Sequence, residues 1–430
     1  MKTYHLSPSN RFNLLTGVFL LLLCSPLFSA NNPMSVAMEA VAINKNQSIN
    51  NQNWAEWILT HVNNLPGLKA LEWQSKVADE ERLAKQQALY NPDLSLSFTE
   101  KGEQEYQLGV SQTIDWYDKS LANGRLGNVD FDLVKIQNHI ELEQKLAQAL
   151  LAYIDYSREK QLLVIARQQE KLLEQLSADL KIRSELGDVG TIDVELTYLS
   201  LSQSLQRISL SEIRYRNALA ELEKTLNTSQ IPYESEKTIW RNSLQQKDLD
   251  DFVGSNLSIR LAEKQLQRTQ ALSKIAGLVR KNNPTLGLGV GRDGDENTVS
   301  LEFSIPLNLR NDYSAEYRAA LNKISQSQWQ LKEEKRLLQK QLKLSLDNYQ
   351  QLNQRVSTWQ KLTAKRVVGS KKILNKLWQS GDMATADYLF SLQQRTDSLI
   401  STIELFSEMQ KAWVDWLLAT NQVESWLRDL

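Results

Sequence analysis

The stretch Asn91–Trp116, NPDLSLSFTEKGEQEYQLGVSQTIDW, decides the fold. Leu94, Leu96 and Phe98 alternate with Ser95, Ser97 and Thr99; on the return, Tyr106, Leu108, Val110, Ile114 and Trp116 alternate with Gln107, Gly109, Ser111, Thr113 and Asp115. A period of two puts one set on each face of a strand pair, so one face is apolar and the other small and polar. The pattern returns at Asn283–Leu309, NPTLGLGVGRDGDENTVSLEFSIPLNL, where Leu286, Leu288 and Val290 precede Val299, Leu301, Phe303, Ile305, Leu307 and Leu309. The links at 100–105 and 292–297 are short, charged and glycine-containing, as solvent-facing turns are. Each hairpin follows an Asn-Pro pair, and the residue before a proline is pushed out of the α region, which ends the preceding helix.

Outward from the hairpins the chain changes character. Neither Gly nor Pro occurs in 128–186, 191–231, 307–368 or 382–430. These residues cost roughly 1 and 3 kcal/mol inside a helix, so their absence permits very long helices. Leu142, Leu146, Ala149, Leu150 and Tyr153 carry the helical spacing, and Leu162, Ile165, Leu172, Leu176 and Leu180 continue it. Residues 128–186 alone predict a rod on the order of 90 Å long. A helix this polar needs neighbours, which implies a bundle or coiled coil.

The chain is duplicated. Asn91-Pro92 matches Asn283-Pro284, YQLGVSQTIDW (106–116) matches VSLEFSIPLNL (299–309), and GDVGTIDVEL (187–196) matches GDMATADYLF (381–390). The offset stays at 192–194 residues, so the halves form one repeated unit: helix, strand, strand, very long helix, Gly-Asp turn, long helix.

About ten residues is the length a tilted strand needs to cross a bilayer. Four strands cannot close a barrel, and open edges are not tolerated in lipid. Three copies would supply twelve strands, enough for a barrel with an aqueous lumen. A half-buried sheet capping a soluble core shows the same alternation and is the competing reading, although no helix set is placed to cover these strands.

At the N-terminus, Lys2 and Arg11 precede the apolar run Leu14–Leu23 and the small-residue stretch SPLFSA, the pattern of a secretory signal peptide. Cys24, the single cysteine, lies within it and follows Leu23, where a lipid-attachment signal needs a small residue; removal with the signal is expected. The mature chain then has no thiol, which suits an oxidising envelope compartment. A net charge of −1 leaves no basic field for nucleic acid. His5, His61 and His139 are scattered, so no metal site is expected from histidines. The glycines of GLGVGR fall on alternate strand positions with no phosphate-loop Lys-Ser/Thr after them. No nucleophile–base pair is evident. The sequence therefore predicts a protein that is not an enzyme and carries no cofactor.

With these features together, from about Leu65 to Leu430, the sequence resembles the TolC family of outer-membrane efflux proteins. The resemblance is carried by the duplicated Asn-Pro-x-Leu strand starts, by GVSQTIDW and EFSIPLNL, and by the Gly-Asp…Thr-x-Asp turns; SIPLNLRND is similar to the heavy-metal, CzcC-like branch. It implies a mainly α fold with a small β part: a long α-helical barrel, or coiled-coil tunnel, joined to a transmembrane β-barrel of four strands per protomer in a homotrimer. The expected division is a signal peptide (1–30), an N-terminal periplasmic segment (31–64), a first repeat (65–226, hairpin 93–116), an equatorial linker (227–255) and a second repeat (256–430, hairpin 285–309). The implied function is a passive duct in the outer membrane, serving an RND-type tripartite efflux or type I export system. Its implied partners are a periplasmic adaptor, an inner-membrane pump and outer-membrane lipid.

In that architecture the turns 186–193 and 380–387 lie at the periplasmic tip. Gly187 and Gly381 suit the left-handed residue that ends a helix, Thr191 and Thr385 suit N-caps, and Asp193 and Asp387 suit a first turn. In a trimer Asp188, Asp193, Asp382 and Asp387 would recur as carboxylate rings around a gate. Leu186, Gly187, Ser380 and Gly381 would meet the adaptor. Trp116 suits an interfacial position, whereas Trp57, Trp73, Trp413 and Trp416 are expected in packing. The alternative from another class is a periplasmic coiled-coil adaptor or structural protein with a small soluble β domain.

Overall fold

The structure, a computed structural model, describes residues 48–100, 104–231, 237–240 and 249–430. The expected signal peptide, Cys24 and the first part of the N-terminal segment lie outside the described residues. In chain order the elements are α1 (Ser48–Asn63), α2 (Pro66–Gln86), β1 (Asp93–Glu100), β2 (Gln104–Thr113), α3 (Lys119–Glu185) and α4 (Thr191–Leu226). A 3₁₀ turn at Lys237–Trp240 leads to α5 (Leu249–Ser255), α6 (Leu257–Val279), β3 (Thr285–Asp293), β4 (Glu296–Ser304), α7 (Ser314–Leu362), α8 (Ala364–Gln379), α9 (Thr385–Ala419) and α10 (Val423–Arg428). The fold is mainly α with a small β part.

The duplication is written in the backbone. Asp118 and Tyr313, immediately before α3 and α7, have φ of +54° and +56°; Gly187 and Gly381, after α3 and α8, have +80° and +78°; Asn227 and Asn421, after α4 and α9, have +51° and +55°. Left-handed residues are rare outside glycine, so three matched pairs mark one template used twice.

Both hairpins form, and they join into one antiparallel sheet of order β1-β2-β3-β4. The register lines up Leu94, Val110, Leu288 and Leu301 across all four strands, and likewise Leu96, Leu108, Val290 and Val299. The opposite face carries the row Ser95, Gly109, Gly289, Ser300. Strands β2 and β4 stop at Thr113 and Ser304, short of the expected Trp116 and Leu309. Ile114 still donates to the Pro284 carbonyl at 2.9 Å, so the halves stay paired just beyond the strand end.

α3 starts nine residues before the breaker-free stretch and passes through Gly124 and Gly127. A Cβ on Gly127 would stand 3.1 Å from Lys85 Cβ and 3.3 Å from the Arg82 carbonyl oxygen. Close approach of α2 thus requires glycine there, and packing offsets the cost of a helical glycine. Asp115 caps the start of α3, accepting from the Lys119 and Ser120 amides at 2.9 and 2.8 Å. At 67 residues the helix is on the order of 100 Å long.

The second long helix is broken without Gly or Pro. Thr363 (φ −124°, ψ −27°) ends α7, and its hydroxyl and amide both bond the Trp359 carbonyl. α8 then starts with its first free amides on the Thr363 carbonyl, from Arg366 and Val367 at 3.0 Å.

Near the sheet the helices lie side by side in the order α2, α3, α6, α7; at the far end the order is α4, α3, α9, then α7 and α8. Between these layers lies the main core, built on Trp54, Trp57, Leu146, Leu150, Tyr153, Leu222, Trp240, Tyr349, Trp413, Trp416 and Trp426. Trp413 and Tyr349 pair at 4.8 Å between ring centroids, and Trp240 lies 5.3 Å from Trp426 and 5.8 Å from Trp54. Trp57, Trp413 and Trp416 pack as expected, but Trp73 is 64% exposed, with Lys76 over its ring. It sits on the open side of α2, the edge of the helix layer.

Candidate functional site

The helix-tip turns follow from local chemistry. After α3, the Gly187 amide bonds the Ser184 carbonyl (3.0 Å) and the Asp188 amide bonds the Arg183 carbonyl (2.9 Å). After α8, Gly381 bonds Trp378 (3.2 Å) and Asp382 bonds Leu377 (2.9 Å) in the same pattern. This double bond with a left-handed glycine is the Schellman ending, which satisfies the last carbonyls of a helix. Thr191 and Thr385 are not the N-caps expected of them. They are the first helical residues, with Gly190 and Ala384 at the caps and no side-chain cap bond. The extended backbone of Gly190 and Ala384 turns the chain without a side-chain acceptor. Thr385 instead accepts from the Trp378 indole N–H at 3.4 Å.

The structure brings the two turns to one end of the molecule. Leu173, Leu176, Leu180 and Val194 from the first repeat share a cluster with Tyr388, Leu389 and Leu392 from the second. Trp378 stacks on Tyr388 at 5.2 Å and 15°, and the Arg183 guanidinium lies 5.7 Å from the Trp378 ring. Burial pushes the Tyr388 phenol up, and its hydroxyl donates to Asn375.

Around this packed tip Asp188, Asp382 and Asp387 are exposed and Asp193 is half-buried. Asp382 accepts from the Ser380 hydroxyl at 2.6 Å. Asp193 and Asp387 lie in the first turns of α4 and α9, where the helix dipole favours a negative charge. Among the described residues none of the four forms an ion pair. Leu186 is 72% exposed at the turn, and Gly187, Ser380 and Gly381 are exposed beside it. Further from the tip, burial lowers the Arg395 guanidinium, and burial followed by the repulsion of Arg395 lowers the Lys371 ammonium.

At the other end, the sheet presents its apolar face outward. Leu96, Leu301 and Val299 are 81%, 85% and 74% exposed. The opposite face is crowded: a Cβ on Gly289 would stand 2.5 Å from Ser300 Oγ and 2.7 Å from Gln107 Nε2, and one on Gly291 would strike the Tyr106 carbonyl. The glycines of that face make room for the Ser300 and Gln107 side chains, so the small, polar face is closely filled while the apolar face stands open. No described helix is long and apolar enough to cross a membrane.

Between the two ends, His139 and Glu143 on α3 meet Glu424 on α10, with one ligand atom from each within 4.8 Å of the others. Histidine counting missed this group. The i, i+4 spacing of His139 and Glu143 was the legible part; Glu424 arrives from 281 residues further on.

No protein-family model and no curated protein matches the sequence. Solved structures do match in fold. A structure of CusC, described for conformational changes accompanying folding and transmembrane channel formation, is similar with a TM-score of 0.70 at 14% identity, over 86% of this chain and 92% of that one. The CmeC outer membrane channel of Campylobacter jejuni gives 0.71 at 11%, over 86% of each chain. The open state of the MtrE outer membrane channel of Neisseria gonorrhoeae gives 0.69 at 11%, over 86% and 88%. The likeness runs nearly end to end, and the fold of these channels is the fold of this chain.

Proposed function

We propose that the chain is the outer-membrane channel-tunnel of a tripartite RND-type efflux or type I export system: a passive, trimeric duct from periplasm to exterior, and not an enzyme. One observation carries the reading: a sheet whose apolar face is exposed and whose edges, β1 and β4, have no strand partner among the described residues. Lipid is the solvent that suits such a face, and closure is the only stable state for such edges there. Because β1 and β4 run antiparallel in an all-antiparallel sheet of even strand number, β4 of one copy meets β1 of the next antiparallel, continuing the pattern. Three copies make twelve strands, with the serine and glycine rows facing a water-filled lumen.

The rest follows from this arrangement. The chain reaches the periplasm through its N-terminal signal, the sheet inserts in the outer membrane, and the helices run back as a tunnel. The duct performs no chemistry; an inner-membrane pump supplies the energy through a periplasmic adaptor. Leu186, Gly187, Ser380 and Gly381 meet the adaptor, because the tip exposes them as a backbone-defined, partly apolar knob. Asp188, Asp193, Asp382 and Asp387 form carboxylate rings that attract cations at the tip.

Planar-bilayer conductance of the purified protein tests the reading. Stable cation-favouring channels are expected, with the preference weakened in the double variant Asp193→Asn/Asp387→Asn. Absence of conductance would remove the duct; unchanged preference in the variant would remove the gate role alone.

A further inference from the structure

The cluster of His139, Glu143 and Glu424 lies apart from the sheet and the tip, against the aromatic core, and nothing in the duct uses it. Glu143 is 1% exposed, yet no lysine or arginine pairs with it among the described residues. Its carboxylate accepts the amides of Val423 (2.8 Å) and Glu424 (3.3 Å) at the start of α10. Burial pushes its pKa up against those bonds. Glu424 gives Oε1 to Arg428 at 2.6 Å and turns Oε2 toward His139.

The distances distinguish two kinds of contact. His139 Nε2 stands 3.9 Å from Glu143 Oε1 and 3.8 Å from Glu424 Oε2. Both separations are too long for a hydrogen bond. They exceed by about 0.4–0.5 Å the edge of a ligand tetrahedron, about 3.4 Å for bonds of 2.0–2.1 Å to a zinc-sized ion, a gap that small side-chain rotations would close. Two carboxylates and one imidazole from two helices place ligand atoms within 4.8 Å of one another, and one carboxylate is buried without a lysine or arginine partner among the described residues. His139, 48% exposed on its side chain, leaves the outer side open for a water ligand.

We infer that His139, Glu143 and Glu424 bind a divalent transition-metal ion of the zinc class, clamping α10 onto α3. One nitrogen and two oxygens form a borderline donor set that suits zinc-like ions; calcium and magnesium prefer oxygen alone. Bound there, the ion supplies the positive charge that Glu143 lacks. It holds the helix carrying Trp426 against the core residues Trp240 and Trp413. The site stands independently of the duct, since it is complete within one chain.

The test uses the full-length protein in detergent, stripped with a chelator and titrated calorimetrically with zinc chloride. About one zinc per chain is expected, with affinity at least tenfold lower in His139→Gln and in Glu424→Gln; both variants leave the Glu143 bonds to α10 in place. Zinc should raise the melting temperature of the parent and not of His139→Gln. Calcium should produce no stoichiometric uptake. No stoichiometric zinc, equal uptake by parent and both variants, or calcium binding as tight as zinc would each overturn the assignment.

Discussion

The two repeats follow one template and bury very different amounts of it. In α3, 23 of 67 residues are buried; in α7, 6 of 49 are. Position accounts for the difference. α3 lies between α2 and α6 near the sheet and between α4 and α9 at the far end, so it has a helix on both flanks along its length. α7 is the last helix of its layer. Its open side shows Trp329 (68% exposed), Leu344 (61%) and Leu337 (46%), and the opposite edge of the layer, α2, shows Trp73 and Val77. The sheet repeats the contrast, with β2 and β3 paired on both sides and β1 and β4 on one. Duplication has produced an inner half-wall and two open edges, and in the proposed duct each open edge meets another copy of the chain.

The largest effect should come from the inner helix. Leu150→Ala, at a fully buried position on α3, should cost about 2–5 kcal/mol in urea denaturation, while Leu344→Ala on α7 should change the isolated chain by no more than about 0.5 kcal/mol. Equal costs would break the contrast. Next comes the sheet: Leu301→Arg, on the exposed apolar face, should cost about 2–4 kcal/mol of bilayer stability, read by folding into lipid vesicles. Ser300→Arg, its neighbour on the crowded face, should instead narrow the conductance.

A smaller effect is expected at the tip. Gly187→Ala and Gly381→Ala should each lose about 1–2 kcal/mol from the left-handed penalty, since neither Cβ meets a neighbour within 4 Å. The two values should agree, because the turns share one geometry. The smallest effect on the chain itself belongs to Trp329→Ala, at about 0.5 kcal/mol or less. In the assembled particle the same change should lower the temperature at which the oligomer dissociates on a detergent gel.

Much of this was legible in the sequence, wherever the signal was periodic or duplicated. The hairpin alternation and the glycines at 187 and 381 depend on local geometry and stand where the pattern put them, whereas the helices before the hairpins already end at Gln86 and Val279, ahead of the Asn-Pro pairs expected to stop them. What was not legible depends on contacts between distant segments. Gly124 and Gly127 looked like breakers until α2 was seen pressed against them. The break at Thr363 has no composition signal: its hydroxyl bonds back to Trp359, but Thr358 bonds back to Gln354 in the same way within the unbroken helix. Thr191 and Thr385 were one position too late for caps, the usual uncertainty at a helix end. The meeting of His139 and Glu143 with Glu424 needs the last short helix folded back on α3, which no periodicity reveals.

The most direct test of the open edges is the mass of the detergent-solubilised mature protein, by light scattering with detergent subtracted or by native mass spectrometry. Three copies per particle are expected, with no free monomer at micromolar concentration. A stable monomer that remains soluble without detergent would contradict it, because exposed strands and open helix edges would then need neither lipid nor another copy.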